Sequence, residues 1–100
     1  MNMQALMQQA QKMQRDIQKK KAELDSEIFE GKYEFITVKF NGKREMISCT
    51  IDSEAVNMDD LEMLQDFIVL AINDAMKKID LEYDKKMGQY SNMLNGMMWN

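Results

Sequence analysis

Apolar residues recur along the start of the chain with a helical period. Met3, Ala10, Ile17 and Leu24 stand seven apart, and Leu6 and Met13 fill the positions three further on, where Lys20 comes next. This is a heptad seam that weakens after three turns. The stretch from about Asn2 to Asp25 holds no Gly or Pro and is rich in Gln, Lys, Met, Ala and Leu, all good helix formers. A helix of that length spans about 36 Å at 1.5 Å per residue. The period then changes. Ile36, Val38 and Phe40 alternate with polar neighbours, and so do Ile47, Cys49 and Ile51 after Asn41-Gly42. Period-2 alternation predicts two strands with one covered face each. An Asn-Gly pair between β-rich runs predicts a hairpin with a two-residue type I′ turn, because both residues tolerate positive φ. Ile28 and Phe29 predict a short first strand, ended near Gly31 and paired at the edge of that hairpin.

The helical period returns after a loop from Asp52 to Asn57 that has room for one turn. Asn57 is the expected N-cap, followed by Asp59, Asp60 and Glu62, which complement the dipole of a helix start. Leu61, Leu64, Ile68, Ala71, Ile72, Ala75, Ile79 and Tyr83 then form a seam spaced by threes and fours, whose Ile68 to Ala75 part should cover the sheet. The pattern predicts one α+β domain over residues 1–100. It comprises a long N-terminal helical arm (1–26), a three-stranded antiparallel sheet (27–52), a long C-terminal helix (58–87) and a tail (88–100). Fraying is expected in the tail, although Leu94, Met97, Met98 and Trp99 are apolar enough to dock. Two long seams exceed what three short strands can cover, so a second copy of the chain is the simplest partner, giving a homodimer. The predicted dimer and core seam of the arm is Met3, Leu6, Ala10, Met13, Ile17 and Leu24.

Charge sharpens this picture. The net charge is -4, but it is unevenly spread. Residues 1–21 hold five basic groups and one acidic, residues 22–84 six basic and sixteen acidic, and residues 85–100 two basic. The face of the first helix opposite its seam carries Gln4, Gln8, Lys12, Arg15 and Lys19, with no acid among them. A merely solvated helix face would mix Glu with Lys at i,i+4. The stripe therefore suits a rail for phosphate contacts, with Lys20, Lys21, Lys85 and Lys86 as further candidates. The outer face of the second helix carries Asp66, Asp74, Asp80 and Asp84, with Lys77 nearby, and would repel phosphate.

Candidate chemistry is sparse. The chain has no histidine, which removes the commonest general base and metal ligand together. Its 17 carboxylates form no recognisable catalytic or metal-loop spacing, and its four glycines make no phosphate-cradling loop. The sequence argues against an enzyme and calls for no metal and no cofactor. The single Cys49 reads as a buried structural thiol and suits a reducing cytoplasm. Twelve methionines suit adaptable packing at seams and interfaces. No apolar run approaches the roughly 20 residues of a membrane span, and the N-terminus does not read as a secretory signal.

Leu6-Met7-Gln8-Gln9-Ala10-Gln11-Lys12-Met13-Gln14, the strand ending in Asn41-Gly42, the strand ending in Ile51-Asp52 and the block Leu64 to Asn73-Asp74-Ala75 succeed one another in a known order. Over residues 3–87 this resembles the YbaB/EbfC family of bacterial nucleoid-associated proteins. The second-helix block is the most specific part. Ser53 stands where the family usually has proline, and the tail lacks the family's frequent glycines. The resemblance implies an α-β-β-β-α homodimer with helices projecting like the arms of tweezers. It implies binding of duplex DNA with modest sequence preference, in the cytoplasm at the nucleoid. It also implies recombination or replication proteins as further partners. The alternative is a dimeric module that binds a partner protein through its helical arms.

Overall fold

Helix α1 (Met3–Ser26) begins where the Asn2 side chain accepts the Gln4 N–H at 3.0 Å, satisfying one orphan donor of a helix start. It ends where the Glu27 N–H returns to the Leu24 carbonyl at 3.1 Å. Strands β1 (Ile28–Tyr33), β2 (Ile36–Asn41) and β3 (Met46–Ile51) come next, then helix α2 (Leu61–Met87) and a short 3-10 turn at Gly88–Tyr90. The computed structural model describes residues 2–90. The docking expected of Leu94, Met97, Met98 and Trp99 lies outside them. The sheet is antiparallel throughout, in the order β1-β2-β3, as the sequence pattern predicts.

Helix α2 lies across β1 and β2. The fit is closest at Gly31, where an added Cβ would fall 2.2 Å from the Ala71 carbonyl oxygen and 2.7 Å from the Ala75 Cβ. Two alanines and a glycine let the backbones approach, and Ala71 and Ala75 are wholly buried. Around this contact Leu24, Phe29, Ile36, Val38, Phe40 and Ile79 complete the core. Phe67 on α2 packs its ring against Tyr33 and Phe35, with centroids 5.1 and 5.3 Å away, and closes the β1–β2 end. The Asp74 carboxylate fastens the same strand by accepting the Lys32 N–H at 3.0 Å, and Lys78 Nζ donates to the Glu30 carbonyl at 2.7 Å.

Because α2 is drawn onto β1, strand β3 stays uncovered. All six of its residues are exposed. Ile47, Cys49 and Ile51 were expected to share a covered face, yet Ile47 is 53% exposed and the Cys49 thiol is exposed rather than buried. The register explains a second difference. Lys39 pairs with Ser48 but Phe40 pairs with Met46, so Ile47 is the extra residue of a bulge. Met46, Cys49 and Ile51 are the residues opposite the buried Phe40, Val38 and Ile36.

The hairpin turn also departs from a type I′ geometry. Arg44 N–H donates to the Asn41 carbonyl at 3.0 Å and Asn41 N–H to the Glu45 carbonyl at 3.0 Å, giving a three-residue loop in which Arg44 takes the left-handed position at φ 67°. Gly42 does not have a positive φ. It serves close approach instead: an added Cβ would meet the Leu24 carbonyl oxygen at 1.8 Å. The tight two-residue turn lies between β1 and β2, with Glu34 at φ 51°. The start of α2 shifts too. Asp60, not Asn57, is its N-cap and accepts the Met63 N–H at 3.0 Å, while Asn57 closes a local turn by accepting the Asp59 N–H at 3.0 Å.

The molecule measures 71 × 22 × 18 Å. Helix α1 contributes about 36 Å of helix at 1.5 Å per residue. Ile17 and Leu24 are buried, whereas Met3, Leu6, Met7 and Ala10 on the same stripe are exposed, Met3 by 73%. The first half of the arm therefore stands clear of the body among the described residues.

Candidate nucleic-acid interface

Helix geometry determines what the arm presents. With about 100° between residues, Lys12, Arg15 and Lys19 fall opposite Ile17 and Leu24, the two buried positions of α1. All three are exposed. Gln4 and Gln8 continue the row toward the arm's end and are exposed as well. Lys12 to Lys19 covers about 10.5 Å along the axis at 1.5 Å per residue. Successive phosphates of one strand advance about 3.4 Å along a duplex, so three such cations can track one strand's backbone.

The other candidate cations separate. Lys20 is half-buried, with Nζ 5.7 Å from the centroid of the Tyr90 ring, a cation–π contact that ties the arm to the 3-10 turn after α2. Lys86 is 23% exposed and sits 3.7 Å from Glu23 on α1 and 3.9 Å from Glu82 on α2. Its ammonium bridges the two helices. Lys85 is exposed on the last turn of α2. Lys21, one residue beyond Lys20 and therefore turned about 100° from it, lines a depression with Leu24, Asp25, Gly42, Lys43, Arg44, Ile79 and Tyr83.

Lys43 and Arg44 were not among the residues expected from sequence. The signal available was their position directly after Asn41-Gly42, since a turn carries its residues out to the surface. Arg44 reaches across to α2, where its guanidinium pairs with Asp80 and approaches the Met76 sulfur at 3.3 Å. The acidic face of α2 is thereby partly neutralised. Asp80 is held by Arg44, and Asp74 pairs with Lys78 at 3.3 Å besides accepting the Lys32 N–H. That backbone hydrogen bond, with help from Lys78 and against some desolvation, holds the Asp74 carboxyl below its ordinary value. Asp66 and Asp84 face solvent. Among the described residues no three His, Cys, Asp or Glu side chains gather as a metal site would require, and no helix is long and apolar enough to cross a membrane.

Comparison with known proteins gives one consistent result. Residues 1–94 match the model of the YbaB/EbfC DNA-binding family. A nucleoid-associated protein of Ligilactobacillus salivarius is 42% identical over 99 residues, covering 97% of this chain and 95% of that protein. One from Chloroflexus aurantiacus is 46% identical over 99 residues, covering 97% and 99%. The crystal structure of an uncharacterized protein from Helicobacter pylori shares the fold, with a TM-score of 0.69 at 23% identity, over 94% of this chain and 98% of that one.

Proposed function

Because this chain belongs to the YbaB/EbfC DNA-binding family, we propose that it is a nucleoid-associated protein that binds duplex DNA as a homodimer, through backbone phosphates and with low sequence specificity. The observation that carries this reading is the row Lys12, Arg15 and Lys19. It is exposed and acid-free, and it lies on the outer face of a helix that leaves the body, in a chain whose net charge is -4. Lys20, Lys21, Lys85 and Lys86 flank the row. Lys20 and Lys86 mainly hold the arm in place, and Lys21 and Lys85 add charge beside it. Cations on a regular helix face contact phosphates, which position a protein without reading bases. The setting is the bacterial cytoplasm at the nucleoid, in the company of recombination or replication proteins, and the role is not enzymatic.

Two uncovered surfaces support the homodimer. The stripe Met3, Leu6, Met7 and Ala10 continues the buried line of α1 into solvent, and β3 exposes Met46, Ile47, Cys49 and Ile51 along an unpaired edge. Pairing with or covering by a second copy is one way in which such edges and stripes are protected from non-specific association.

Fluorescence anisotropy of a duplex of about 20 base pairs, titrated over a salt series, tests the reading. Binding should weaken with salt along a slope corresponding to roughly 4–8 released counterions. Reversing Lys12, Arg15 and Lys19 to Glu in a protein that still folds and dimerises should abolish binding. Unchanged affinity in that variant would remove the row from the interface. The exposed apolar stripe of the arm also favours a second reading, a dimeric module that grips a partner protein. A stoichiometric partner retained after nuclease treatment would move the assignment there.

A further inference from the structure

From the way the β2–β3 turn joins three elements, and building on the DNA reading above, we infer that this turn sets the angle of the arm. Arg44 is then a positioning residue for DNA binding rather than a phosphate contact. Helix α1 meets the sheet at this turn. The Gly42 N–H donates to the Asp25 carbonyl at 3.2 Å, and the Gly42 backbone lies so close to the Leu24 carbonyl that no side chain fits between them. On its other side the turn is latched to α2 by the Arg44–Asp80 ion pair and by the Arg44–Met76 contact. The last turns of α1 also rest directly on α2, through Leu24 in the shared core and Lys86 between Glu23 and Glu82. The turn is thus a wedge between the arm and α2, and Arg44 fixes how deep it sits. Arg44 holds φ 67°, a conformation that a non-glycine residue adopts at a cost, so the surrounding contacts must keep it there. The Asn41 side chain contributes by accepting the Lys43 N–H at 2.9 Å and the Glu45 N–H at 3.1 Å. A change in how the wedge sits tilts the arm, and its effect is largest beyond Ile17 and Lys20, the last buried and tethered positions, where Lys12 stands about 18 Å from Leu24 along the axis.

Net charge and positioning give opposite signs in one experiment. Asp80→Asn removes a negative charge, so a rule based on net charge alone makes it bind a polyanion more tightly. A positioning role makes it bind about two- to fivefold more weakly at constant salt, the range of one surface ion pair. The swapped pair Arg44→Asp/Asp80→Arg keeps the net charge, restores the latch in reverse and should recover affinity. Circular dichroism melts confirm that each variant folds. A second readout needs no DNA. Spin labels at Gln8→Cys and Ser53→Cys in a Cys49→Ser background, diluted with unlabelled protein, report the angle between arm and body. Their distance distribution should broaden in Asp80→Asn and narrow again in the swap. Tighter binding by Asp80→Asn, or an unchanged distribution, would overturn the inference. If the unsubstituted protein binds no duplex at low salt, the DNA reading falls, while the label distances still decide whether the latch sets the arm.

Discussion

Single residues in this fold are chosen for what stands next to them, and two glycines make the point. Gly31 and Gly42 both occupy places where a Cβ would strike backbone of a neighbouring element, Ala71 in one case and Leu24 in the other. Gly31→Ala should therefore force β1 away from α2. The expected loss is about 1–3 kcal/mol, the usual cost of overpacking a tight site, read as a lower urea midpoint with the slope unchanged. The sequence made the Asn41-Gly42 turn legible but not its type. Turn chemistry is local, whereas the need for glycine here comes from a helix carbonyl far away in the chain. Lys20 and Lys21 teach the same lesson. They are adjacent in sequence and basic alike, yet the first is drawn to Tyr90 and the second faces the hairpin. Helical spacing gives the direction each side chain takes and says nothing about what waits there.

At the scale of elements, both helices and the three-stranded antiparallel order could be read from periodicity together with the turns. The uncovered state of β3 could not. Alternation reveals that a strand has an apolar face but not that the covering helix stops one strand short. Here the small-residue row of α2 seats it on Gly31, which leaves Met46, Cys49 and Ile51 beyond its reach. The carboxylate within that row adds a pH dependence. Asp74 has a lower pKa folded than unfolded, because the Lys32 N–H and Lys78 favour its charged form. Its contribution is present above the unfolded value and is lost as pH falls through the folded one. Urea unfolding tracked from neutral pH to below about 4, the ordinary carboxylate range, should show Asp74→Asn losing stability less steeply with acid than the parent protein. Parallel curves would mean that the strand is held by the core alone.

For the whole molecule, the exposed strand matters most. Ile51→Lys should leave the protomer folded, since the position is already 37% exposed, and should shift a homodimer toward monomer. Sedimentation velocity over a concentration series should place the dissociation midpoint at least about tenfold higher, the effect of a buried charge costing 1.4 kcal/mol or more at an interface. An unshifted midpoint would locate the contact between copies elsewhere, with the apolar stripe of α1 as the next surface to substitute. The outer half of α1 has one more consequence. Its residues off the apolar stripe, Gln4, Gln8 and Lys12, are exposed and belong to no core among the described residues, so they add almost nothing to the cooperative melting of the body. On the DNA reading proposed above, a charge reversal at Lys12 weakens binding and leaves the calorimetric trace untouched. Damage to this protein's purpose and damage to its fold are written in different parts of the chain, and a thermal screen reads only one of them.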